Sequence, residues 1–131
     1  MAAGSLPCGL GRQAYTTGGG ELLWSADMVP AVVRWAQEAG LAVSGGEVYA
    51  PLGPMSTMFV SDWETSPLPS GAEDWGAYVA RSATVALGVV AESEAERGQR
   101  GRAADVRYFL ALSERRARWP ESRRPPVGRA A

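Results

Sequence analysis

Apolar residues first fall into register at Val29, Val32, Val33 and Ala36. The spacing i, i+3, i+4, i+7 puts all four on one face of an α-helix. Pro30 is tolerated only in a first turn. A helix is therefore predicted over 28–39, capped by Ser25 or, in better accord with the proline, by Asp27. Gly40 suits the position just past its end. LAVS (41–44) and EVYA (47–50) then read as extended chain, joined through Gly45-Gly46. Such a glycine pair predicts a bend or bulge that re-aims the strand. Pro51-Leu52-Gly53-Pro54 is a turn. MSTMFVSDW (55–63) is a second long strand, so 47–50 is expected to form a hairpin with 55–60.

Residues 65–71 read as a loop. Ser70 and Glu73 have capping-box spacing. Trp75, Tyr78, Val79, Ser82, Ala86, Val89 and Val90 then keep to one stripe, which predicts a helix over 71–95. Residues 96–102 read as a linker. A third helix is expected over 103–118, with Val106, Phe109 and Leu110 as its apolar positions and Pro120 as its stop. Residues 1–20 are small and glycine-rich and read as an arm and a loop. Residues 121–131 have nothing to bury and are expected to be disordered. The pattern as a whole predicts an α+β fold. A small sheet of about three strands carries two main helices, with a third, Arg-rich helix at the C-terminal side.

Composition narrows the chemistry. The 131 residues fit one domain with a modest core. No apolar run approaches the ~20 residues that cross a membrane. The opening MAAGSLPCGLGR has neither the basic nor the apolar region of a signal peptide. Cys8 is the single cysteine, so no intrachain disulfide forms, and a reducing cytoplasm is expected. The chain contains no His, Lys, Ile or Asn, a bias typical of a GC-rich genome. The missing His excludes Ser-His-Asp and Cys-His mechanisms and removes the commonest nitrogen metal ligand. One cysteine cannot build a Cys/His zinc site.

Charge is divided along the chain. Residues 1–96 hold eleven acids and three arginines, a net of −8, and residues 97–131 hold ten arginines and three acids, a net of +7. The division predicts an acidic body, 1–96, and an Arg-rich linker, helix and tail, 97–131. Gly18-Gly19-Gly20 and Gly45-Gly46 match no P-loop, which requires a lysine, and no G-x-G-x-x-G occurs. Asp62, Glu64, Glu73 and Asp74 are candidates for paired-carboxylate chemistry or a hard cation. Glu73 and Asp74 equally suit a helix N-terminus, where the dipole favours negative charge. A metal site needs more ligands than these, so no metal and no cofactor are expected. Cys8 has no activating base near it in the sequence. Trp75 and Tyr78 lie on the helical stripe and read as core. Tyr49 and Trp63 read either as core or as a flat surface for a partner.

The motifs GGEVY (Gly45, Gly46, Glu47, Val48, Tyr49), DW (Asp62, Trp63) and EDWxxYVxRS (Glu73, Asp74, Trp75, Tyr78, Val79, Arg81, Ser82) follow one another in that order. This arrangement resembles the bacterial immunity proteins of polymorphic toxin systems, specifically the immunity family numbered forty. The resemblance covers roughly residues 5 to 92. Glu47 stands where that family more often has Asp, and the Arg-rich segment after residue 96 lies outside its pattern. The resemblance implies a cytosolic protein that binds and neutralises a cognate toxin domain encoded next to it, and it implies no catalytic residue. The charge split agrees, since an acidic body is steered to the positive clefts of toxins that act on nucleic acid. Charge and aromatic character make Glu47, Tyr49, Asp62, Trp63, Glu64, Glu73 and Asp74 the expected toxin-binding surface. A second reading is a nucleic-acid-associated or regulatory protein acting through Arg115, Arg116, Arg118, Arg123 and Arg124 beside Trp119. A third is a hydrolase built on Asp62 and its neighbours.

Overall fold

The computed structural model describes residues 8–12, 14–17, 20–51, 56–68, 73–99 and 106–115. In chain order the elements are α1 (Cys8–Gly11), β1 (Tyr15–Thr16), β2 (Leu22–Leu23), α2 (Val29–Glu38), β3 (Ala42–Pro51), β4 (Thr57–Glu64), α3 (Trp75–Gln99) and β5 (Arg107–Ser113). β3 is the central strand of a three-stranded antiparallel sheet in the order β4-β3-β5, and β1 and β2 form a separate two-stranded ribbon. α2 and α3 contribute Val29, Val32, Val33, Ala83, Ala86 and Val90 to one core with Val43, Val48, Tyr108 and Leu110 of the sheet. The class is α+β, as the pattern predicts.

α2 buries the four residues its spacing selects. Its cap differs from expectation. Met28 occupies the N-cap and makes no side-chain cap bond. Ser25 Oγ donates to Asp27 Oδ1 at 2.8 Å, and the Met28 N–H bonds Ser25 O at 3.0 Å. The two polar residues thus close a turn ahead of the helix. Gly40, with φ +77°, follows the C-cap Ala39, and only glycine takes that conformation cheaply.

α3 also starts later than expected. Asp74 is its cap, accepting the Ala77 N–H at 2.8 Å on Oδ1. Glu73 precedes the cap and therefore cannot complete a capping box; Ser70 lies outside the described residues. The segments 41–44 and 47–50 are not two strands but one, since β3 runs unbroken through Gly45-Gly46. Its irregularity against β5 falls at Val43/Gly45. There the Val43 N–H turns to Ser82 Oγ of α3 at 2.9 Å, and Ser82 in turn donates to Val79 O. The expected hairpin forms and extends further, from Gly45↔Glu64 to Pro51↔Thr57.

The largest correction concerns 103–118. Arg107–Ser113 is a strand, not a helix. Val106, Tyr108 and Leu110 are buried, while Arg107 and Phe109 lie on the opposite face. That is period 2. The spacing Val106, Phe109, Leu110 imitates a helix only if Tyr108, which is fully buried, is ignored. β5 lies in the same sheet and core as the earlier residues, and α3 runs to Gln99, across the expected boundary at 96. The predicted disordered stretch 121–131 lies outside the described residues. Within the expected N-terminal arm, Cys8–Gly11 is a short helix and Tyr15–Thr16 pairs with Leu22–Leu23 in a ribbon closed by Thr17 N–H to Glu21 O at 2.9 Å.

Candidate functional site

Residues directly opposite in an antiparallel pair share a face. β3 pairs Gly45 with Glu64, Glu47 with Asp62 and Tyr49 with Phe59 on one side. On the other side it pairs Gly45 with Ala111, Glu47 with Phe109 and Tyr49 with Arg107. The core side chains Val43, Val48, Tyr108 and Leu110 occupy the opposite face, under the helices. The outer face therefore gathers three carboxylates, Glu47, Asp62 and Glu64, with the rings of Tyr49, Phe59 and Phe109 and one arginine, Arg107. Asp62, Glu64 and Phe59 are exposed, and Glu47, Tyr49 and Phe109 are half-buried. A hollow of about 400 Å³ on this face is lined by Glu47, Asp62, Glu64 and Phe109 among others.

The face is organised rather than merely charged. Tyr49 Oη donates to Glu47 Oε1 at 2.5 Å. That bond, with smaller effects from burial and nearby negative charge, pushes the phenol up to about 12. Tyr49 and Phe59 meet edge to face at 6.0 Å and 76°. Both devices fix the ring positions.

The seven expected surface residues divide between two places. Glu47, Tyr49, Asp62 and Glu64 come together on the outer face. Trp63 alternates to the core side and packs across Gly46. Its buried Nε1 finds no hydrogen-bond partner among the described residues. Glu73 is buried at the start of α3, where Arg81 grips it with Nε to Oε2 at 2.6 Å and Nη2 to Oε1 at 2.7 Å. Glu73 also accepts the Leu68 N–H at 3.2 Å, and Arg81 reaches Ser66 O at 2.8 Å. The guanidinium holds the Glu73 carboxyl below its ordinary value against the opposing effect of burial. Asp74 is the helix cap.

Phe59, Phe109 and Arg107 belong to the outer face and were not among the expected surface residues. The alternation of Arg107, Phe109 and Ala111 against Val106, Tyr108 and Leu110 is the signal that finds two of them.

The EDWxxYVxRS residues have structural partners. Trp75 Nε1 donates to Gly40 O at 2.8 Å, Tyr78 Oη to Thr65 O at 2.6 Å, and Ser82 joins α3 to β3. They tie the helix to the ends of the sheet, while Asp74 caps it and the Glu73–Arg81 pair holds the loop through Leu68 and Ser66. Among the described residues no group of three or more Cys, Asp or Glu side chains is placed to hold a metal ion. No described helix is long and apolar enough to cross a membrane. Arg115 is exposed just past β5, and Arg116, Arg118, Trp119, Arg123 and Arg124 lie outside the described residues. No family model matches the chain, and no curated protein and no solved structure shows significant similarity to it.

Proposed function

We propose that this protein is a non-catalytic immunity protein that binds and neutralises a cognate bacterial toxin domain through the outer face of its sheet. One observation carries the reading: a sheet face left open by the helices, with Glu47, Asp62 and Glu64 set among Tyr49, Phe59 and Phe109. Rigid aromatics supply area at small entropic cost, and carboxylates complement a positive cleft. The resemblance to the immunity family numbered forty supports the same reading. Its motif residues on α3 serve the frame, while Glu47, Tyr49 and Asp62 lie on the open face.

The test is survival of cells that express the toxin domain encoded beside this gene. Co-expression of the full chain is expected to restore growth. Glu47→Arg with Asp62→Arg is expected to abolish rescue without loss of folded protein. A neighbour that is harmless, or that kills in the presence of the full chain, overturns the reading. Rescue by the double variant moves the binding surface off this face.

A further inference from the structure

β4 lies at the edge of the sheet, and among the described residues no strand pairs with its outer side. The other edge, β5, is bridged by Trp24, whose N–H and C=O both bond Tyr108. Met58, Phe59 and Val60 are 48%, 51% and 50% exposed. An ordinary half-covered strand hides every second residue. The register shift opposite Val48/Tyr49 leaves Val60 as an extra residue, so alternation breaks there and three successive apolar side chains reach solvent. Natural edges are usually blunted by Lys, Pro, an inward charge or a bulge, and here the bulge at Val60 turns apolar side chains outward instead of covering them. Thr57 to Ser61 contains no Lys, no Pro and no charge.

The helix side of this edge is a groove of about 800 Å³, between β4 and the later turns of α3. Met58 and Val60 line one wall, and Val89, Glu92 and Glu96 line the other. Arg97 also lines it, but its side chain is only 17% exposed and stands 3.8 Å from a Glu94 oxygen. Acids therefore flank β4 on both faces, with Asp62 and Glu64 outside and Glu92 and Glu96 across the groove. A second copy pairing through β4 would set this acidic ring against itself.

We propose that the free edge of β4 is the docking site for an extended segment of a partner protein in which apolar residues alternate with Arg or Lys. Added beside β4, such a segment extends the sheet by one strand. Its apolar side chains drop toward Met58, Val60 and Val89, and its basic side chains lie over Asp62 and Glu64. The inference rests on the toxin-binding reading only for the natural source of the segment; the edge itself needs no toxin to be tested.

The full chain is titrated with a strand-length peptide of alternating valine and arginine, with its valine–glutamate counterpart, and with the valine–arginine peptide N-methylated at every amide. The basic peptide is expected to bind at least about tenfold more tightly than the acidic one, about 1.4 kcal/mol. N-methylation is expected to abolish binding, because it removes the ladder donors. Met58→Lys with Val60→Lys is expected to remove binding and leave the thermal unfolding midpoint unchanged, since both positions are exposed. Equal binding of all three peptides, or binding of none, overturns the proposal. A dimer that the lysine pair dissociates overturns it in favour of a second copy. Peptide binding that appears only after removal of residues 116–131 overturns it in favour of the chain's own segment. If the toxin reading fails while the peptide results hold, the edge site stands with another donor. If the toxin domain is neutralised without protecting the β4 amides from exchange, the edge is not the toxin's contact, and the peptide results alone then decide the proposal.

Discussion

At Gly46 the sheet has no room for a side chain. A Cβ there would overlap the Phe109 carbonyl oxygen and stand 2.6 Å from Trp63 Cζ2. Neither Gly45 nor Gly46 has positive φ. The pair is used for close approach, not for an unusual backbone angle. Gly46→Val is expected to destabilise the fold by about 3 kcal/mol, because backbone cannot step aside as a side-chain tip can. A urea midpoint measures this; unchanged stability with lost toxin neutralisation would make Gly46 a contact residue instead. The Glu73–Arg81 pair makes a second prediction at this scale. Arg81→Ala leaves a buried carboxylate with the Leu68 N–H but without its charged partner and is expected to cost about 2 kcal/mol, discounted because the guanidinium is one-third exposed (34%). Glu73 has its pKa lowered from 4.5 in the folded state. As pH falls, the unfolded chain takes up that proton first. The stability from the pair is therefore complete above the usual carboxylate value and lost as pH falls through the lowered one. Arg81→Ala should flatten this acid limb in urea titrations at successive pH values.

Among the elements, β5 decides what counts as removable. Its Tyr108 is fully buried, bonded to Trp24 through the backbone and to Glu94 Oε2 through Oη at 2.6 Å. Cutting the chain after Arg115 retains this strand; cutting it at residue 96 removes one of β3's two neighbours. The shorter truncation is expected to fold with a cooperative thermal transition, and the longer one to lose it. Equal behaviour of the two would mean that β5 contributes nothing to the sheet. The contrast with α2 explains what was legible. α2 shows its spacing with no competing period, and tertiary contacts agree with it. The 106–112 run is short, and Val106, Phe109 and Leu110 imitate the helical period once Tyr108 is set aside, so pairing with β3 is what fixes it as a strand. Gly45-Gly46 was legible in part, since a bulge falls beside the pair at Val43/Gly45 but the strand does not break there. Glycines signal a break in a strand, but here they admit the Trp63 indole, which no local pattern announces. The open face was legible in part. Glu47, Tyr49, Asp62 and Glu64 were readable from charge and aromatic character, whereas Phe109 and Arg107 required the correct assignment of β5.

Taken whole, the molecule has its helices on one side of the sheet and its acidic, aromatic face on the other, and this arrangement should steer a cationic partner. On the proposed function, the association rate with the toxin partner is expected to fall at least about tenfold from low to high salt. Stopped-flow mixing reads it directly, and a salt-insensitive rate would remove electrostatic steering from the proposed function. The strand order β4-β3-β5 also acts in time. Ser44 of β3 bonds residues of β5 that lie 67 and 69 positions later in the chain. During synthesis, β3 and β4 leave the ribosome long before β5 exists, and the space that Tyr108 fills stays empty until then. Such distant pairings are slow to close and expose sticky intermediates meanwhile. A cell that stalls translation before residue 107 makes a chain without its last sheet neighbour. On the proposed immunity reading, protection would begin only with completed molecules, and the interval between the start of translation and closure of β5 would be a window without cover.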